Sequence, residues 1–153
     1  MSNFETTQNA ASSETYLERF ERERSEWTER TNSMAVRFKN VEDMVEVQVD
    51  LYSNRQLAVD YMQQLISLQT RLKKAWLTEW KKVYESLLSE QDYRYSEKER
   101  TKFADEKTGA GKLKIDIMQV HIEFFRETIR TIDNMIFGVK HRIDIEDFRR
   151  GNK

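Results

Sequence analysis

A seven-residue apolar repeat over residues 41–88 is the feature that most constrains the fold of this chain. Met44 begins the repeat, and an apolar side chain returns at every seventh position as far as Leu72. A second set lies three positions later and is interrupted at Asn54. The 153 residues include no proline and only four glycines, so little in the chain would break a helix. The pattern predicts one long helix over residues 41–90 with a coiled-coil-like seam.

The seven-residue repeat breaks at Glu79. The apolar stripe is instead continued by a shifted set of positions, Trp76, Trp80, Val83 and Leu87. A helix of this length extends over about 70 Å and is not stable alone, so it needs a partner along its length. The C-terminal part of the chain offers one. Apolar residues there recur in alternating steps of four and three, which predicts a helix over residues 114–148. Its stripe is Met118, Ile122, Phe125, Ile129, Ile132, Ile136 and Val139.

The simplest fold for two such helices is all-α, with a long antiparallel hairpin and an added N-terminal helix. Ser96 and Glu99 form a capping box that predicts the start of a short helix between the two long ones. The remaining segments are assigned by composition. They are a disordered tail over 1–13, an acidic helix over 14–31, a connector over 32–40 that includes an extended piece at 34–38, a short helix over 96–107 and a loop over 107–113.

Residue types that support catalysis or metal binding are scarce. The chain has no cysteine, and its two histidines, His121 and His141, lie 20 positions apart without a metal-binding motif. The GAGK stretch at 109–112 lacks the first glycine and the final Ser or Thr of a phosphate-binding loop. We therefore predict no catalytic residue, no metal site, no cofactor and no enzymatic activity.

The chain is also expected to be soluble and intracellular. No apolar run approaches the roughly 20 residues that cross a bilayer, so we predict no membrane partner. The N-terminal residues are polar and lack the layout of a signal peptide.

The most basic part of the long helix reads RLKKAWLTEWKKVY over residues 71–84. Basic and aromatic side chains together suit single-stranded nucleic acid, because ammonium groups neutralise phosphates and indoles stack on bases. The same composition also fits an ordinary helix that packs Trp76 in its seam and exposes its lysines. The candidates for phosphate contacts are Arg71, Lys73, Lys74, Lys81 and Lys82, together with Lys112 and Lys114 of the basic loop.

From residue 41 to residue 148 the sequence resembles the UvsY family of recombination mediators of myovirus-type phages. The resemblance rests on short stretches in a matching order with near-constant spacing. They are DLYSN at 50–54, the pair Lys73–Lys74, ADEK at 104–107 with KID at 114–116, and GVKHRIDIEDF at 138–148. Two further basic positions of the family fall at Thr78 and Trp80 here, and Lys81 and Lys82 are hypothesised to substitute for them. The acidic N-terminal helix and the KTGA segment also depart from the family pattern.

The resemblance implies a helical protein that binds single-stranded DNA without enzymatic activity. It further implies loading of a RecA-like recombinase onto strands coated by single-stranded-DNA-binding protein, in the cytoplasm of an infected bacterial host. A ring-like homo-oligomer, hexamer or heptamer, is implied as well, and it would align the basic patches of copies whose net charge is only −1. We assign the contacts between copies to the apolar stripe of the C-terminal helix. The alternative is a structural coiled-coil phage assembly protein or scaffold that does not bind nucleic acid.

Overall fold

Four α-helices make up the part of the chain that the computed structural model describes, residues 2–89 and 95–151, with side chains over 15–88 and 95–151. The helices are α1 (Ser2–Arg37), α2 (Met44–Ser89), α3 (Glu97–Lys107) and α4 (Gly109–Gly151). No strand occurs among these residues, which confirms the predicted all-α class. None of the four helices, over the same residues, has the length and apolar composition that a bilayer crossing requires.

Helix α1 is longer at both ends than the sequence suggested. It begins at Ser2, where a disordered tail over 1–13 was predicted, and it continues to Arg37 through the predicted connector and extended piece. The physical reason is that residues 2–37 contain neither proline nor glycine, so no position interrupts the ladder of backbone hydrogen bonds.

Helix α3 begins at the predicted capping box. The Ser96 hydroxyl accepts a hydrogen bond from the Glu99 backbone N–H at 3.3 Å. The Glu99 carboxylate accepts one from the Ser96 backbone N–H at 2.7 Å. Each residue thus satisfies a donor that the helix end would leave without a partner, which fixes the first turn of the helix.

The loop predicted over 107–113 is corrected by the structure, because α4 already begins at Gly109. Thr108 alone separates α3 from α4 and serves as the C-cap of α3. Its carbonyl oxygen accepts hydrogen bonds from the backbone N–H groups of Gly111 at 3.1 Å and Lys112 at 3.2 Å. The glycine-rich stretch is therefore the first turn of a helix, which continues without a break into the predicted C-terminal helix.

The helices form two compact units. The first unit consists of Met1–Phe20 and Leu65–Val120, and the second consists of Glu21–Gln64 and His121–Lys153. Helices α1, α2 and α4 each contribute to both units, whereas α3 belongs to the first.

The predicted seam of α2 is buried in its first half. Met44, Val47, Leu51, Ala58 and Leu65 are each at most 4% exposed, which confirms this part of the pattern. Later in the helix, Ala75 of the same repeat is exposed, and Trp76 occupies the packed side instead. The apolar stripe has therefore changed phase before the break in the repeat at Glu79.

In the second unit, α2 runs antiparallel to both α1 and α4. The phenol of Tyr61, late in this part of α2, hydrogen-bonds Glu23 of α1 and packs its ring on Phe125 of α4, with ring centroids 4.9 Å apart. Earlier in α2, Arg55 forms an ion pair with Asp133 of α4. The core between them is an apolar cluster of Met34, Val47, Leu51, Ile132, Ile136 and Val139.

The structure corrects the role assigned to the apolar stripe of α4. Six of its seven members are at most 8% exposed inside the single chain, and Ile129 is half-buried. The six are Met118, Ile122, Phe125, Ile132, Ile136 and Val139. Side chains that are already buried within the chain are not accessible to a second copy. The periodicity identified a packed face, but whether that face packs within one chain or between chains is a tertiary question.

Candidate nucleic-acid interface

The five basic residues predicted from the RLKKAWLTEWKKVY stretch are all exposed on α2, in the first unit. Arg71, Lys74, Lys81 and Lys82 follow helical spacing and share the outward side of the helix. Lys73 lies farther around the helix, in line with Trp80 seven residues later. At 1.5 Å per residue, the set from Arg71 to Lys82 extends over about 16 Å. We call these five residues the basic face.

Two acidic side chains of α2, Glu79 and Glu85, lie within one turn of Lys82 and are exposed like the basic face. Within the described part of the chain, no member of the basic face forms an ion pair with an aspartate or glutamate. On α4, by contrast, Arg126, Arg130 and Arg149 each pair with a glutamate three residues earlier. A cation that keeps its charge on an open surface is available to an external anion, and phosphates are the anions that such a row suits.

The opposite side of this part of α2 packs against the start of α4. The Trp76 indole N–H donates a hydrogen bond to the Thr108 hydroxyl at 3.2 Å, and Thr108 is buried. A Cβ added at Gly111 would lie 3.3 Å from the indole Cδ1, so glycine allows this close approach. These contacts confirm that Trp76 belongs to the packed seam, and they fix the rotation of α2 that turns the basic face to solvent.

Trp80 and Tyr84 lie between the packed side and the basic face. The Trp80 indole N–H donates to Asp105 of α3 at 2.8 Å. The two rings stack with centroids 5.1 Å apart and planes inclined by 12°, and the Arg100 guanidinium lies 5.8 Å from the centre of the Tyr84 ring. Both side chains are half-buried, so each ring has a fixed orientation and a surface that solvent reaches.

Lys112 and Lys114 are not part of the basic face. The Lys112 ammonium lies 3.4 Å from the Asp116 carboxylate and 5.7 Å from the centre of the Trp76 ring, which is on the packed side of α2. It lines an open cavity of about 480 Å³ with Asp105 and Asp116, whose carboxylates repel a phosphate. Lys114 is half-buried. The structure therefore places Lys112 apart from the five basic residues on α2.

A buried polar network in the second unit escaped the sequence analysis. His121 has no exposed surface, and its Nε2 lies 2.8 Å from a Glu23 carboxylate oxygen. The Tyr61 hydroxyl donates to the same oxygen at 2.5 Å. No pattern in the sequence could connect His121 with a glutamate 98 positions away on another helix. His141, the second histidine, is exposed.

Among the described residues, no group of three or more His, Cys, Asp or Glu side chains is placed to hold a metal ion. Comparison with protein-family models, with characterised proteins and with solved structures gives no match to this chain. Its function must therefore be argued from the basic face, the packing of α2 and the pattern of the sequence.

Proposed function

We propose that this chain is a non-enzymatic recombination mediator that binds single-stranded DNA through the basic face of α2. The observation that carries the proposal is that α2 exposes five cations, four of them on one side of the helix, and that none of the five forms an ion pair within the described part of the chain. The resemblance of the sequence to the UvsY family supports the same function, because Lys73 and Lys74 match the basic pair of that family. In this role the chain promotes loading of a RecA-like recombinase onto strands coated by single-stranded-DNA-binding protein, in the cytoplasm of an infected bacterial cell.

The side chains around Thr78 support a modified version of the family's basic surface. The Thr78 hydroxyl donates to the Lys74 carbonyl oxygen at 3.0 Å, so this position contributes no charge. Lys81 and Lys82 follow one turn later on the same side of α2 and are exposed. Two lysines before Thr78 and two after it give the helix four ammonium groups for phosphates.

Salt-dependent binding of a fluorescent oligonucleotide tests this proposal. Reversal of Lys73, Lys74, Lys81 and Lys82 to glutamate should abolish binding at low salt, because counterion release from phosphates is its source. For the unmodified chain, the logarithm of the affinity should fall with the logarithm of the salt concentration. Five phosphate contacts, one for each cation of the basic face, account for a slope of about −3.5, at about −0.7 for each contact on a single strand.

The matched control reverses four exposed lysines outside the basic face, Lys39, Lys98, Lys102 and Lys140. It changes the net charge of the chain by the same amount, so it separates a local site from a general effect of charge. Circular dichroism of both variants verifies that the helices persist. Affinity that survives the first set of reversals, or that falls equally with the second, would show that the basic face is not the site.

Assembly of several copies into a ring-like homo-oligomer, a hexamer or heptamer, belongs to the same proposal. A subunit of net charge −1 binds DNA weakly, but many copies on one strand add their contacts through effective concentration. Because the apolar stripe of α4 is buried, the contacts between copies require other side chains. Candidates on α4 are Phe137 and Phe148, each 73% exposed, and Ile145. Replacement of both phenylalanines by serine should lower the mass measured by sedimentation equilibrium.

The same exposed apolar side chains also favour the second candidate function, a structural phage assembly protein or scaffold without nucleic-acid binding. That function predicts stable oligomers that show no affinity for an oligonucleotide at low salt. The binding measurement on the unmodified chain therefore decides between the two candidates.

A further inference from the structure

The stacked pair of Trp80 and Tyr84 gives the first unit an aromatic surface whose geometry is already set. The two residues are one helical turn apart, and their rings are nearly parallel. Asp105 satisfies the indole N–H and Arg100 lies over the phenol ring, so contacts from α3 hold both rings in place. A ring that is held in this way loses little conformational freedom when a ligand stacks on it.

Apolar side chains extend this surface along α2. Leu77 is 44% exposed and Leu88 is 52% exposed, and helical spacing places them in one stripe with Trp80 and Tyr84. A contiguous stripe of apolar groups that reaches solvent is a candidate surface for contact with a ligand. We call Leu77, Trp80, Tyr84 and Leu88 the aromatic stripe.

The aromatic stripe lies directly beside the ammonium groups of the basic face. Lys73 precedes Leu77 by four residues, Lys74 precedes it by three, and Lys81 follows it by four. Residues at these separations are neighbours on a helical surface. Lys81 is also three residues before Tyr84. Apolar and cationic groups thus alternate along one flank of the helix over about three turns.

This juxtaposition fits one class of ligand. A single strand of nucleic acid presents phosphates along one edge and bare base faces along the other, whereas a duplex hides its base faces in the stack. The cations of the basic face match the phosphates, and the aromatic stripe matches the bases.

We propose that Trp80, held against Tyr84 and flanked by Leu77, forms a base-contact platform that selects single strands with unpaired bases. The proposal rests on the nucleic-acid binding proposed above and adds to it the residues that read base faces. Phosphate contacts alone bind any polyanion of sufficient charge, so the platform supplies the selectivity for strands that carry accessible bases.

Two oligonucleotides of equal length test the platform, an oligothymidylate and an abasic strand with the same number of phosphates. The unmodified chain should bind the oligothymidylate more tightly in fluorescence anisotropy at low salt. Trp80→Ala should weaken that binding about fivefold to 150-fold, the effect of one base–aromatic stacking contact. It should leave the affinity for the abasic strand and the salt slope nearly unchanged. Lys81→Ala should weaken both strands and reduce the salt slope by about 0.7.

Tyr52→Ala is the matched control, because Tyr52 is an exposed aromatic residue of α2 in the second unit. It should change neither affinity. If Trp80→Ala loses its helical circular dichroism, Leu77→Ser, at an exposed position, is the replacement variant. The affinities of the unmodified chain for the two strands still test the platform without any substitution.

Each outcome has one meaning. Equal affinity of the unmodified chain for the two strands, or equal weakening of both by Trp80→Ala, overturns the platform and leaves phosphate binding by the basic face intact. Failure of the unmodified chain to bind either strand overturns the proposed function itself, and the platform with it.

Discussion

Replacement of Val139 by alanine tests whether the apolar stripe of α4 builds the core of the chain or a contact between copies. Val139 has no exposed surface and belongs to the apolar cluster of the second unit. Val120 lies on the same helix and is 60% exposed. The same substitution at both positions removes the same two methyl groups from an α-helix, so only the surroundings of the side chain differ.

The expected magnitude follows from burial. Two buried methyl-sized groups contribute about 1.6 kcal/mol, at about 0.8 kcal/mol each, and the cavity left behind raises the loss to about 2–3 kcal/mol. Alanine regains about 0.5 kcal/mol through its higher helix propensity. We therefore expect Val139→Ala to lower the free energy of unfolding by about 1.5–2.5 kcal/mol. For Val120→Ala, only about 40% of the side chain is buried, so the lost burial costs about 0.6 kcal/mol. The higher helix propensity of alanine offsets this cost, and we expect almost no change in the free energy of unfolding.

Urea unfolding followed by far-ultraviolet circular dichroism, at a low and a high protein concentration, measures both variants. A core position loses the same stability at either concentration, because the lost contact lies within one chain. A position between copies loses stability that depends on concentration by mass action. Equal effects of the two substitutions, or a loss for Val139→Ala that changes with concentration, would refute the placement of α4 in the core.

Two further substitutions test the helix start and the buried polar network. Hydrogen bonds from the backbone and side chain of Ser96 hold the pKa of Glu99 below its ordinary value. Ser96→Ala should therefore raise this pKa toward that value, as measured by an NMR titration of the carboxyl group. Because the folded state favours the ionised carboxylate, the capping contribution is complete above the ordinary pKa and is lost as the pH falls through the lowered one. Glu23→Ala removes an acceptor shared by His121 and Tyr61 and should cost about 1–3 kcal/mol in urea unfolding.

Glu97→Ala, on the exposed first turn of α3, is the control for the capping box and should leave the pKa of Glu99 nearly as it is in the unmodified chain. A pKa that Ser96→Ala does not move would contradict the capping geometry. Glu21→Ala, at an exposed position of α1, is the control for the polar network and should change stability by less than about 0.5 kcal/mol. A similar loss for Glu21→Ala and Glu23→Ala would mean that the network does not stabilise the second unit.

Much of the candidate interface was predictable from local spacing. Five cations within twelve positions of one helix must reach solvent when the opposite side carries Leu72, Trp76 and Val83. Lys112 and Lys114 could not be judged in this way, because their partners lie outside the local pattern. The GAGK stretch that carries Lys112 is the first turn of α4, and that turn places the Lys112 ammonium beside Asp116 and the Trp76 ring.

The sequence by itself determined the all-α class, the capped start of α3 and the buried half of the seam of α2. Each depends on neighbours within a turn or two, or on the absence of proline. Only the tertiary structure decided what covers each apolar face. It placed the stripe of α4 inside the chain, joined Glu23 to His121, and oriented Trp80 by a hydrogen bond from α3. A periodic pattern predicts that one face of a helix is buried, but it does not identify the helix that packs against that face. The reason is that helices of equal periodicity pack equally well within one chain or between two.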